Sequence, residues 1–122
     1  MGTFFVEARL AAVETPERQQ PVKLLVDSGS TYTWVTGAVL RTLSVVPTER
    51  RRVVTIEGQV VERDAAEVLI TLEGRTLHTV CLFGAAGDLD VLGAYTLEGF
   101  GFGVDPVQRK LIPALQYGAA VS

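Results

Sequence analysis

The chain has 122 residues, of which 48% are hydrophobic and 20% charged, values typical of one globular domain spanning residues 1–122. A formal net charge of −3 and a pI near 5.1 argue against a nucleic-acid-binding protein. No apolar run is long enough to span a membrane, and the positive run at residues 50–52 is interpreted as a solvated surface cluster.

Short apolar or alternating runs dominate the first part of the chain. They predict strands at residues 4–13 and 22–26, which a polar loop connects. The second strand delivers Asp27, residues 34–35 continue extended, and residues 37–43 are predicted to form a short helical turn.

Two β-hairpins are predicted next, one turning at Glu57-Gly58 and the other at Glu73-Gly74. In each turn the glycine supplies the positive φ that a tight connection between strands requires. The four strands are assigned to residues 52–56, 59–62, 67–72 and 75–80.

The last third of the chain is predicted to contain two further strands and a helix. A short apolar strand at residues 89–92 is stopped by Gly93, residues 94–100 form a short helix, and residues 110–113 form a final strand. Many short strands with glycine-centred turns predict an all-β fold, a barrel or sandwich with one short helix near the C-terminus.

A single cysteine, Cys81, excludes an intramolecular disulfide and fits a reducing compartment. No signal peptide is visible, so a cytoplasmic location is expected. Cys81 lies in an apolar run and is interpreted as a small buried hydrophobe. A catalytic pair with the one histidine, His78, is disfavoured, because side chains three residues apart on a strand point to opposite faces. The sequence shows no metal-ligand spacing.

The stretch LLVDSGSTYTWV, residues 24–35, places Asp27 directly after an apolar run and follows it with Ser28, Gly29 and Ser30. One interpretation is a turn residue, since Asp-Ser-Gly is common turn chemistry. The other is a carboxylate fixed for general base catalysis, which needs partial desolvation and positioned hydrogen bonds. Gly29 would let the chain pass close to that carboxylate, and the two serine hydroxyls would offer hydrogen bonds to neighbouring loops.

Asp-Ser-Gly-Ser after a hydrophobic pair resembles the active-site signature of aspartic proteases, and the Trp-Val pair that follows resembles its pepsin-like version. Val91-Leu92-Gly93 resembles the segment of retropepsin-like proteases that threads behind the active-site loop before a short helix. Residues 103–113 are similar to the closing hairpin of bacterial retropepsin-like domains. This ordered set covers most of the chain and implies the acid-protease β-barrel.

The resemblance assigns roles to individual residues. Asp27 is expected to be catalytic, Ser28, Gly29 and Ser30 to support the active-site loop, and Leu92 and Gly93 to lie behind it. The hairpin tip at Ile56, Glu57 and Gly58 corresponds to the flap that covers the substrate. Glu57 departs from the small or apolar residue expected there, and Ile56 is expected to contact a substrate side chain.

The resemblance also implies two facing aspartates that share one proton and activate a water. This chain has one such motif, because no other aspartate precedes Ser-Gly or Thr-Gly. A homodimer acting on peptide or protein substrates is therefore expected, with Asp27 from each chain beside a twofold axis. Neither a cofactor nor a metal is expected, and activity should be best at mildly acidic pH. Residues 4–6 and 111–112 are candidates for an intersubunit sheet.

Two other interpretations stay open at this point. One is a catalytically inactive, protease-like module that binds peptides or forms dimers. The other is a domain cut from a larger polyprotein or membrane protein, which the loose tail at residues 118–122 would suit.

Overall fold

The computed structural model of the chain describes residues 3–121, which contain nine strands and two short helices. In chain order they are β1 (Phe5–Ala11), β2 (Gln20–Val26), β3 (Thr33–Thr36), α1 (Gly37–Thr42), β4 (Glu49–Val54), β5 (Val60–Leu72), β6 (Arg75–Gly84), β7 (Val91–Leu92), α2 (Ala94–Phe100), β8 (Phe102–Asp105) and β9 (Lys110–Pro113).

Six of the strands close into a barrel in the order β1-β2-β7-β3-β6-β5, because β1 also pairs with β5. Most neighbours are antiparallel, but β2 pairs with β7 and β3 with β6 in parallel. The interior is filled by large apolar side chains with no or almost no solvent exposure, among them Leu10, Leu24, Leu40, Ile70 and Leu92. Burying each such side chain stabilises the fold by roughly 1.5–3 kcal/mol.

The hairpin of β4 and β5 extends beyond the closed part of the sheet. Within the described residues β4 pairs only with β5, and residues 60–64 of β5 pair only with β4. From Ala65 onward β5 joins the barrel through β6. The barrel therefore holds one end of this hairpin, and its turn stands away from the core.

The predicted all-β architecture is confirmed, but the extents of several elements differ, and β8 was not predicted as a strand. The two predicted hairpins share one continuous strand, because β5 has 13 residues and runs through residues 63–66, which were predicted to lie outside any strand. The helical turn expected at residues 37–43 is a six-residue helix, so the described residues contain two short helices instead of one.

Glycines end several elements where the sequence predicts turns. Gly58 and Gly74 have φ values of 86° and 78° in the two hairpin turns, and Gly101 ends α2 with φ 76°. Strands β8 and β9 form a separate two-stranded sheet at the predicted closing hairpin, where Phe102, Val104 and Leu111 pack against the barrel core. Neither α1 nor α2 has the length and hydropathy that a membrane-crossing helix requires.

Candidate active site

Asp27 is the first residue after β2, and its backbone is fixed by the neighbouring strand. β2 and β7 lie parallel with Val26 opposite Leu92, and the Asp27 N–H donates to the Leu92 carbonyl oxygen at 3.0 Å. Residues 24 and 26 of β2 point into the core, whereas Asp27 is exposed. The strand thus anchors the main chain while the carboxylate faces solvent.

The loop after Asp27 folds back onto its carboxylate. The Gly29 N–H donates to Asp27 Oδ1 at 3.0 Å, and the Ser30 N–H donates to the Asp27 carbonyl oxygen at 3.1 Å. A Cβ atom at position 29 would lie 3.2 Å from Asp27 Oδ1, a tight contact that glycine avoids. Ser30 Oγ donates to the Tyr32 carbonyl oxygen at 2.8 Å, whereas Ser28 is exposed and has no side-chain hydrogen bond to residues 3–121.

Gly93 passes directly behind this loop. A Cβ atom at position 93 would lie only 2.3 Å from the Tyr32 carbonyl oxygen and 2.9 Å from that of Ser30. The next two residues are bonded to the loop, because the N–H groups of Ala94 and Tyr95 donate to the carbonyl oxygens of Ser30 and Thr31 at 2.7 and 2.9 Å. The segment at residues 92–95 therefore fixes the loop at residues 27–32 from behind.

Three buried threonines tie these pieces together, and the sequence analysis did not single them out. The Oγ1 atoms of Thr33 and Thr96 are 2.7 Å apart, as are those of Thr79 and Thr96. Thr33 Oγ1 also accepts the Gly93 N–H at 3.1 Å. The three residues come from β3, β6 and α2, so only the folded chain brings them together.

The proposed flap residues lie at the tip of the β4–β5 hairpin. The Gly58 N–H donates to the Thr55 carbonyl oxygen at 2.9 Å and closes the turn. Ile56 is 103% exposed, so its side chain packs against none of residues 3–121, and Glu57 and Gly58 are exposed as well.

The base of this hairpin contacts the loop at residues 27–32 and the loop before β7 through charged residues that the sequence analysis did not assign to the site. Arg51 Nη1 donates to Tyr32 Oη at 2.6 Å, so the run at residues 50–52 is not uniformly solvated. Arg63 forms an ion pair with Asp88 in the loop before β7. Nothing local in the sequence marks the second pair, whose members are 25 residues apart.

The exposed Asp27 carboxylate lies outside two shallow cavities of the protomer. A shallow cavity of about 270 Å³ lies between β6 and α2, and another of about 180 Å³ lies beside β1 and β5. Asp27 lines neither. Within residues 3–121 no group of three His, Cys, Asp or Glu side chains is placed to hold a metal ion.

Cys81 and His78 do not form a catalytic pair. Cys81 is fully buried in β6, and burial raises the pKa of its thiol far above the usual range, so the thiol stays protonated. His78 is exposed and lies 3.1 Å from a Glu67 carboxylate oxygen. These positions agree with the interpretation of Cys81 as a buried hydrophobe.

Comparisons with known proteins agree on one protein class. A family model described as aspartyl protease matches residues 12–92. The solved structure of the EIAV protease complexed with the inhibitor HBY-793 matches with a TM-score of 0.61 and 21% sequence identity, covering 80% of this chain and 88% of that one. A search of curated proteins gave no significant match. The first match includes Asp27 and extends to Leu92, and the second is a likeness of fold.

Proposed function

Because the chain belongs to the aspartyl protease family and has the retropepsin-like fold, we propose that it is an aspartic endopeptidase that works as a homodimer. Each protomer would contribute Asp27, and the peptide substrate would lie between the two Asp27 loops and the β4–β5 hairpins. The catalytic role of Asp27 and the substrate-binding role of the hairpin tip are part of this proposal.

One observation carries this proposal: hydrogen bonds hold Asp27 in place, and its carboxylate bonds to no second carboxyl group within residues 3–121. Its main chain is bonded to Leu92, its Oδ1 atom accepts the Gly29 N–H, and its side chain is exposed at the surface of the protomer. A carboxylate that only caps a turn does not need the buried support of Gly93 and the three threonines. A second copy of the chain supplies the missing carboxylate through twofold symmetry, which places identical residues on both sides of the axis.

In the proposed mechanism the two Asp27 carboxyl groups share one proton, because two like charges so close together cannot both ionise. The ionised group takes a proton from a water held between them, and the water oxygen attacks the scissile carbonyl carbon. The protonated group donates a hydrogen bond to the carbonyl oxygen, on which negative charge develops. The tetrahedral intermediate then collapses: the C–N bond breaks, and the carboxyl group that took the proton from the water passes it to the leaving amine nitrogen. No covalent bond forms between the enzyme and the substrate.

Hydrogen bonding within the Asp27 loop would fix the orientation of the two carboxyl groups. The Gly29 N–H fixes one oxygen of each carboxylate, so the other oxygen is free to face the water. The hairpin tip would close over the substrate, with Ile56 contacting an apolar side chain of the peptide. Glu57 would add a negative charge at this tip.

The pairing of the strands near the chain ends limits how the proposed dimer contact can form. Phe5 and Val6 pair with Leu25 and Leu24 in β1–β2, and Leu111 pairs with Val104 in β8–β9. Any intersubunit sheet must therefore use the outer edges of these strands. Phe5 is 55% exposed, which leaves apolar surface for such a contact.

The test compares the wild-type chain with Asp27→Asn in a peptidase assay and in sedimentation velocity. We expect a dimer in both cases, peptide cleavage by the wild type, and loss of at least about 10³-fold of the activity in the variant. Asp64→Asn, which changes an aspartate outside the site, should retain activity. A wild-type chain that binds peptides and leaves them intact would instead favour the inactive binding module.

A further inference from the structure

Arg51 and Arg63 occupy directly opposite positions on β4 and β5 in the hairpin register. Two like charges facing each other across a strand pair destabilise a sheet unless each has its own partner. Here the two guanidinium groups extend to different partners on the barrel. Within residues 3–121 they are the hairpin side chains nearest the tip that form hydrogen bonds to residues outside the hairpin.

Arg51 contacts the segment that follows Asp27. Its Nη1 atom donates to Tyr32 Oη at 2.6 Å, and its guanidinium carbon lies 4.9 Å from the centroid of the Tyr32 ring. Its Nε atom is 2.9 Å from Glu49, which neutralises the charge. Tyr32 in turn packs at 5.7 Å against Tyr95, in the segment behind the site.

Arg63 contacts the loop that leads into β7. Its Nε and Nη2 atoms donate to the two oxygens of Asp88 at 2.8 and 3.2 Å, and both side chains are about one-fifth exposed. A bidentate, largely buried pair of this kind is geometrically specific. The guanidinium carbon of Arg63 also lies 5.8 Å from the Trp34 ring centroid.

The loop that Arg63 holds is connected directly to the strand that carries Asp27. Asp88 Oδ2 also accepts the Ala85 N–H at 2.7 Å, and Asp90 Oδ1 accepts the N–H and the hydroxyl of Thr36 at 2.8 and 3.0 Å. The Asp90 carbonyl oxygen accepts the Leu25 N–H at 3.0 Å. Hydrogen bonds, together with the backbone of residues 88–90, thus connect the hairpin base and this loop to β2.

We propose that Arg51 and Arg63 act as a clamp that fixes the base of the β4–β5 hairpin on the Asp27 segment. Only the part beyond the clamp, residues 52–62, then moves over the substrate. Arg63 and Asp88 are positioning residues in this account, because they set where the hairpin tip lies without touching the reacting atoms. The inference rests on the proposed peptidase function for its catalytic consequence, but the clamp itself can be measured without a substrate.

The test compares Asp88→Asn with Asp64→Asn in the full chain. Both variants remove one carboxylate charge that pairs with an arginine of the hairpin, but Asp64 pairs with Arg50, which is 58% exposed. We expect amide hydrogen exchange across residues 52–62 to become about fivefold faster in Asp88→Asn and to change less than about twofold in Asp64→Asn. In the peptidase assay Asp88→Asn should raise KM about fivefold and change kcat less than about twofold, because it weakens binding of the ground state and the transition state alike.

Conservative variants distinguish the clamp from a general loss of structure. Asp88→Glu keeps the charge and should restore most of the exchange protection and of KM. Arg63→Lys keeps the positive charge but cannot form the bidentate contact with Asp88, so it should accelerate exchange about twofold. This variant tests the clamp even if Asp88→Asn does not fold. Equal exchange in Asp88→Asn and Asp64→Asn, or no change in Arg63→Lys, would overturn the clamp. A wild-type chain without peptidase activity would count against the proposed function only, since the exchange comparison needs no substrate.

Discussion

The carbonyl oxygen of Tyr32 leaves no room for a side chain at position 93. The backbone of Gly93 has φ −97° and ψ 175°, which any residue can adopt, so the requirement for glycine is purely one of space. The nearest atoms, at 2.3 and 2.4 Å from an added Cβ, belong to the backbone and cannot turn aside as a side chain can.

Gly93→Ala is therefore expected to lower the free energy of unfolding by about 3 kcal/mol or more. Gly99→Ala is the matched control, because position 99 lies in α2 with open space around it. It should raise the stability by up to about 1 kcal/mol. Urea unfolding at one fixed protein concentration measures both changes, and a Gly93→Ala chain as stable as the wild type would refute the close approach.

Thr33 holds the Gly93 N–H and the Thr96 hydroxyl in a site without solvent exposure. Thr33→Val removes this oxygen at nearly constant volume and leaves a buried N–H without an acceptor. We expect a loss of about 1–3 kcal/mol in unfolding free energy. Thr71→Val breaks the exposed Thr71–Thr76 contact and should cost less than about 0.5 kcal/mol. Equal losses in the two variants would argue against a special role for the buried network.

At the scale of elements, the Arg63–Asp88 pair connects the projecting hairpin to the barrel. The Arg63 guanidinium, followed by the Ala85 N–H, lowers the pKa of Asp88 from its ordinary value against the opposing effect of burial. A carboxyl whose pKa is lower in the folded state stabilises the fold above its unfolded pKa of about 3.9. That contribution is lost as the pH falls through the lower, folded-state pKa.

The stability difference between the wild type and Asp88→Asn should accordingly be constant from neutral pH down to about pH 5 and shrink below about pH 4. Asp64→Asn should differ from the wild type by about 0.5 kcal/mol or less throughout, because its partner Arg50 is mostly exposed. Chemical unfolding in a pH series measures both differences. A gap between wild type and Asp88→Asn that widens towards low pH would contradict the assigned pKa direction.

Sequence patterns located most elements because the cues were local. Alternating apolar residues and turn glycines mark the hairpins, and the Asp-Ser-Gly motif and Val91-Leu92-Gly93 mark the pieces that the fold brings together. The continuity of β5 could not be predicted, because Ala65 and Ala66 have low strand propensity and become strand only by pairing with Leu82 and Cys81. The threonine network and the Arg63–Asp88 pair depend on contacts between distant segments, which a single sequence does not reveal.

At the scale of the whole molecule, the proposed function makes the protomer one half of a symmetric site. Asp27 lies exposed on a hydrogen-bonded loop and Ile56 lies unpacked at the hairpin tip, while residues 5–8 of β1 and β9 each have one unpaired edge within the described residues. In the proposed dimer, a second copy of the chain would bring its own Asp27 beside the first, share the substrate with the hairpin tip and pair with the unpaired strand edges. The assignment of Asp27, Ser28, Gly29, Ser30 and the hairpin tip to the site stays a prediction until the dimer is tested, as does the cytoplasmic location.

A subunit-mixing experiment tests the shared site most directly. Wild-type chains and Asp27→Asn chains are unfolded together at equal amounts and refolded, and the peptidase activity is measured per wild-type chain. If each active site needs Asp27 from both chains, random pairing leaves about half of the wild-type chains with a wild-type partner, and the activity falls to about one half. With a ninefold excess of the variant it should fall to about one tenth. Activity per wild-type chain that stays constant at every mixing ratio would contradict a site built from two molecules.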